Sequence, residues 1–204
     1  MNFLEPIVIA AFLTGVVGPI LIMYFRKKWN GKKCDPLKEA IDVNTVVAIQ
    51  LESMMDELDC DRIWLSQFHN GGNFYPTGKS IQKFSVLYEF VTPGTPSIKS
   101  IFQNIPVSLF NQPMSYLYEN GELLIEDLKG NEAKKYGFDQ FVKQFKSKSC
   151  YLFAVFDLND RFLGTLGVDY NHSTYKLNKT ELSYIKQKAA SIGTIIDTYL
   201  YKNK

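Results

Sequence analysis

The segment Phe68-His69-Asn70-Gly71-Gly72 holds the residues best suited to chemistry in this chain. An imidazole can donate, accept or bind a metal, an amide side chain offers both hydrogen-bond senses, and adjacent glycines let backbone N–H groups approach a bound molecule. Downstream, Lys83, Ser85, Leu87 and Glu89 alternate with Phe84, Val86, Tyr88 and Phe90, so a strand here carries a polar and an apolar face. With the apolar set in a core, the polar set falls beside Gln67 and His69 of the preceding strand. His69, Asn70, Lys83, Ser85 and Glu89 are therefore the candidate ligand-binding residues. Lys83 would counter an anionic group, Glu89 would accept from a donor, and His69 with Asn70 would fix orientation. The plain alternative is that Asn-Gly-Gly is turn chemistry and the polar strip a solvated face.

Other chemistry finds less support. His69 and His172 lack ligand spacing, so no metal centre is expected. The serines and cysteines sit in no nucleophile elbow, so no catalytic residue is assigned and the chain is read as a non-enzyme. Cys34, Cys60 and Cys150 are an odd number without metal spacing, which fits a reducing compartment rather than a disulfide scaffold. A formal charge of +2 gives no footing for nucleic-acid binding.

The elements that must position these residues begin with an apolar run from Pro6 to Phe25, followed by Arg26, Lys27, Lys28, Lys32 and Lys33. Twenty helical residues span roughly 30 Å, the thickness of a bilayer's hydrocarbon core. Basic residues follow the run instead of preceding it, which argues for an uncleaved anchor with the C-terminal part in the cytoplasm. The division expected is residues 1–33 as transmembrane anchor and basic juxtamembrane segment, and 34–204 as one soluble domain. Ala10, Thr14 and Gly18 form a small-residue stripe that suits helix association in lipid. A helix is predicted from Pro36 to Leu58 with a heptad seam Leu37, Ile41, Asn44, Ala48, Leu51, Met55 and Leu58. A closing helix is predicted after the capping-box pair Asn178 and Glu181, with the seam Leu182, Ile185, Ala189, Ile192, Ile196 and Tyr199. Two such seams suggest a homodimer, or simply cover for the domain's own sheet. Between them come strands at Arg62–His69 and Lys83–Val91 with a loop at Asn70-Gly71-Gly72, an irregular stretch from Thr92 to Asn131, a helix from Glu132 to Lys146, and a hairpin over Cys150–Phe156 and Phe162–Tyr170.

This order resembles a GAF domain. The most specific piece is Ser149-Cys150-Tyr151-Leu152-Phe153-Ala154-Val155-Phe156, followed by Asp160-Arg161-Phe162-Leu163-Gly164-Thr165-Leu166-Gly167-Val168. It is similar to that family's serine-led buried strand, turn and Gly-centred returning strand, and the likeness covers roughly Pro36 to Tyr201. The resemblance implies an α+β fold: a central antiparallel sheet with the terminal helices on one face and a ligand pocket on the other, preceded here by one transmembrane helix. It also implies a sensory or regulatory role, through small-molecule binding, dimerisation or both. Tyr170-Asn171-His172 and Tyr175 depart from the signature of cyclic-nucleotide binders, and Cys150-Tyr151 does not fit the cysteine of bilin binders. The expectation is a bacterial or phage-encoded inner-membrane module, homodimeric, with an unidentified small-molecule ligand. Its rivals are a ligand-free tethered scaffold and, further off, a redox enzyme acting through Cys150.

Overall fold

The alternating and doubly apolar runs between the two amphipathic helices fold into one antiparallel sheet in a computed structural model, which describes residues 21, 35–74, 76–138 and 144–201. The chain divides into two compact units, Met1–Glu39 and Ala40–Lys204. In the first, the Asp35 carboxylate accepts the N–H of Leu37 at 3.0 Å, satisfying a donor that a helix's first turn leaves open. Among the described residues no helix is long and apolar enough to cross a membrane. The expected span from Pro6 to Phe25 lies outside those residues except for Leu21.

Helix α1 (Pro36–Leu58) leads into β1 (Arg62–Asn73), β2 (Ser80–Val91) and the short β3 (Ile105–Pro106). A 3-10 turn (Val107–Phe110), α2 (Asn111–Asn120), β4 (Glu122–Ile125), α3 (Asn131–Lys135), β5 (Ser149–Phe156), β6 (Phe162–Tyr170) and α4 (Lys179–Tyr201) follow. The strand order is β3-β2-β1-β6-β5-β4, with every neighbouring pair antiparallel. On one face Val47, Leu51, Met54 and Leu58 of α1 join Ile185, Ala189, Ile192 and Ile196 of α4 over Ile63, Leu65, Phe153, Val155, Leu166 and Val168. The opposite face carries Leu117, Leu123, Ile125, Leu128 and Leu152, with Val86, Ile98 and Phe145 as a second cluster beside Trp64.

The α4 cap forms as expected: Asn178 Oδ1 accepts the N–H groups of Thr180 and Glu181, and Glu181 Oε2 accepts the N–H of Asn178 at 2.7 Å. Four expectations need correction. The α1 seam is rotated by one residue: of the predicted set only Leu51 and Leu58 belong to the fully buried stripe, while its Leu37 and Ile41 stay 68% and 53% exposed, as does Ile49 outside the set at 60%. This helix is apolar on more than one side, and periodicity selected the neighbouring stripe. The helix expected over Glu132–Lys146 ends at Lys135, where Gly137 takes a positive φ of 76°. Asn70-Gly71-Gly72 lies inside β1 rather than in a loop, with the ladder register shifting between Asn70 and Asn73. Lastly, the strict alternation of β2 fails at Leu87, where a bulge lets Leu65 face Tyr88 and Ser66 face Val86. Phe84 and Val86 therefore pack on the face away from α1 and α4, whereas Tyr88 and Phe90 pack with the helices.

Candidate functional site

Four of the five sequence candidates are neighbours. His69 Nε2 lies 2.9 Å from Ser85 Oγ, which also accepts the N–H of Asn104 at 2.9 Å. Lys83 faces His69 in the ladder, and its aliphatic stem lies where a side chain on Gly71 would project, 2.2 Å from an ideal Cβ. That glycine makes room for lysine methylenes rather than for a ligand. Asn70 Oδ1 accepts from Gln82 Nε2 at 3.4 Å. Glu89 is placed elsewhere, because the Leu87 bulge turns it to the other face. There it accepts the N–H groups of Ile98 (2.7 Å) and Lys99 (3.0 Å) and the hydroxyl of Ser97, and lies 3.5 Å from Arg62 Nε. None of the five lines the cavity on the sheet face away from α1 and α4.

That cavity, of about 60 Å³, lies on the sheet face away from α1 and α4. Arg62, Trp64 and Ser66 of β1 and Thr165 and Asp169 of β6 floor it, alternating in the ladder with Ile63, Leu65, Leu166 and Val168, which point to the helices. Phe102, Phe110, Met114 and Phe138 roof it. Arg62 is 1% exposed. Its Nη1 donates to Asp169 Oδ2 at 2.6 Å and Ser147 Oγ at 3.0 Å, and its Nη2 donates to the carbonyls of Pro96 at 2.6 Å and Phe145 at 3.1 Å. Arg62 Nε, Trp64 Nε1, Thr165 Oγ1 and Asp169 Oδ1 are buried without a hydrogen-bond partner among the described residues. Glycine at 167 is required for this floor: a Cβ there would lie 2.0 Å from the Trp64 ring.

Behind the floor, the Asp61 carboxylate accepts the N–H groups of Asn171 (2.6 Å) and His172 (3.2 Å) and sits 2.5 Å from His172 Nδ1. Its burial alone would raise its pKa, but the two backbone donors and the imidazole outweigh that and hold it below the usual carboxylate range. Burial, reinforced by the Asp169 charge, pushes the Cys60 thiol up to about 12. Burial, then the Asp169 charge and a hydrogen bond from the thiol to that carboxylate raise Cys150 well above an ordinary thiol. The two cysteines belong to opposite faces of the sheet, and both are free. Thiolate chemistry at Cys150 is correspondingly disfavoured. Among the described residues no cluster of His, Cys, Asp and Glu could hold a metal ion.

Sequence reasoning passed over Arg62 and Asp169, although one signal was there: opposite charges inside two strands whose neighbours are apolar. Only the β1–β6 register, which pairs them directly, makes that signal specific.

No protein-family model matches the sequence, and no curated protein matches it either. Solved structures do. The blue-light absorbing form of the PixJ GAF domain of Thermosynechococcus elongatus superposes with a TM-score of 0.65 at 15% identity, over 82% of this chain and 92% of that one. GAF3 from Slr1393 of Synechocystis sp. PCC6803, in its photoproduct state, gives 0.62 at 16% identity over 79% and 97%. The far-red absorbing dark state of JSC1_58120g3 with bound biliverdin IXa gives 0.60 at 13% identity over 78% and 92%. With its six antiparallel strands and its first and last helices packed on one face, this chain has a GAF-like fold.

Proposed function

We propose that this chain is a membrane-anchored sensory or regulatory module that binds a small molecule on the sheet face away from α1 and α4 and acts through dimerisation. The cavity carries this reading, with Asp169 Oδ1 and Thr165 Oγ1 buried in its floor and unpartnered among the described residues. Native cores leave few such groups, and a bound molecule is one thing that satisfies them. A bilin is not the ligand we infer. A volume of about 60 Å³ holds about four to six water molecules at the roughly 10–15 Å³ that each occupies on that measure, well short of a tetrapyrrole, and Cys150 is a poor nucleophile. The apolar run from Pro6 to Phe25 with its basic flank supports anchoring, and the exposed Ile41 and Ile49 of α1 support self-association.

The test is native mass spectrometry of the full chain purified in mild detergent, with thermal melts against a small-molecule library. A copurified molecule, or a saturable rise in Tm that Thr165→Val weakens, is the expected result. If neither is found, a ligand-free tethered scaffold takes the reading's place; the small volume of the cavity is the observation that favours it.

A further inference from the structure

We propose that the cavity recognises a small organic ammonium ion, of the size of methyl- or ethylammonium. This rests on the cavity being a ligand site, and it sets the sign of charge opposite to the one Lys83 suggested. Three buried ionisable side chains are grouped here: Arg62 and Asp169 in the floor, and Glu89, outside the lining, paired to Arg62, with side chains 1%, 5% and 4% exposed. Their formal charges sum to −1. Arg62 is largely spent: its four Nη hydrogens meet four oxygens, and its Nε, which makes no hydrogen bond among the described residues, is ion-paired with Glu89 at 3.5 Å. Asp169 is different. One oxygen takes the guanidinium, and the other, Oδ1, has no hydrogen-bond partner among the described residues. A buried carboxylate oxygen needs a strong donor, and the neighbouring Cys150 thiol is only a weak one.

An ammonium group supplies the donor and the missing positive charge together. Thr165, two strand positions beyond Gly167 from Asp169 in the sense that residues 165, 167 and 169 share one face, adds a second unpartnered oxygen. The rest of the wall suits a cation's methyl or methylene groups: the rings of Trp64, Phe102 and Phe110 line the cavity. This environment already holds one cation over a ring, since Arg62 Cζ lies 5.9 Å from the Phe145 centroid. A carboxylate or phosphate would meet net negative charge, with only the neutral Trp64 N–H and the already ion-paired Arg62 Nε–H left to donate to it. The volume admits a few heavy atoms and excludes nucleotides.

Ethylammonium chloride, propionate and ethanol would be titrated into the full-length protein in detergent at constant ionic strength, read by thermal melts and by saturation-transfer NMR. Saturable binding of ethylammonium alone is expected. Thr165→Val should weaken it by about tenfold and Asp169→Asn by a hundredfold or more. Should Asp169→Asn fail to fold, Thr165→Val and Phe102→Leu carry the test, each lowering affinity in a protein that keeps its melting transition. Saturable binding of propionate or ethanol without ethylammonium would overturn the charge assignment and leave the ligand site standing. Ethylammonium binding that all three variants leave unchanged would overturn it as well, by placing the ion elsewhere. Absence of saturable binding by all three probes would count against both the ammonium assignment and the cavity as a ligand site.

Discussion

A guanidinium taken out of water must find oxygens for its donors, and Arg62 finds them on four residues of three segments: Pro96, Phe145 with Ser147, and Asp169. Removing it leaves Asp169 and Glu89 buried without their cation, a loss that in other proteins costs about 3–5 kcal/mol. Arg62→Met should therefore lower the urea midpoint sharply, and adding Asp169→Asn to it should restore part of the loss. Asp61 offers a pH-dependent counterpart. Its folded pKa lies below the unfolded value of about 3.9, so its stabilisation is complete above that value and is lost as pH falls through the folded pKa. Asp61→Asn should destabilise the protein by about 1–3 kcal/mol at neutral pH, as expected for lost hydrogen bonds to buried donors. The gap to wild type in denaturant melts should be constant above about pH 5 and close below pH 4. At this scale the sequence was a partial guide. His69 and Ser85 do meet, but Glu89 could be located only by knowing that a bulge at Leu87 reverses the strand's phase, and nothing in local composition announces a bulge.

Among the elements, the two terminal helices were the most legible and also the source of one misplacement. The spacing in α4 and its cap read directly, because its polar face is strongly charged and only one stripe is apolar. In α1 the residues Ile41, Val46 and Ile49 compete with Val47, Leu51 and Met54, and choosing between stripes requires knowing what the helix packs on. The distinction changes the mutational experiment. Leu51 and Ile192 are fully buried, so a charge at either should unfold the domain rather than separate subunits. Ile49→Glu, on the exposed stripe, should keep the unfolding free energy within about 0.5 kcal/mol of wild type, as exposed substitutions do, and convert a dimer into a monomer in sedimentation. A monomeric wild type would remove α1 as an interface. The middle of the chain was the least legible: α2 and β4 are short, and their burial comes from the sheet edge they cover, not from a period of their own.

For the whole molecule, order and type of the main elements followed from turn residues, apolar runs and the likeness to the GAF layout, while the cavity's position required the tertiary register. The expected orientation in the membrane is independent of the fold. With five basic residues after Phe25 against Glu5 before it, a cytoplasm-dependent reporter fused after Lys204 should be active and its periplasm-dependent counterpart silent.

The strand order also dictates how the sheet can be assembled in time. β1 with β2 and β5 with β6 are hairpins made from nearby sequence, whereas β1 meets β6 across a separation of 107 residues at Arg62 and Asp169. Closing that seam requires ordering the longest stretch of chain, so it belongs to the slow step of folding. The seam is also tight, since a Cβ at Gly164 would stand 1.9 Å from the Ser66 carbonyl oxygen. Stopped-flow refolding of Gly164→Ala should therefore be retarded by most of its equilibrium destabilisation. Ile125→Val in the outermost β4 should instead refold at the wild-type rate and only unfold faster. The two halves of the sheet would then be early products, and their joining the event that creates the cavity floor.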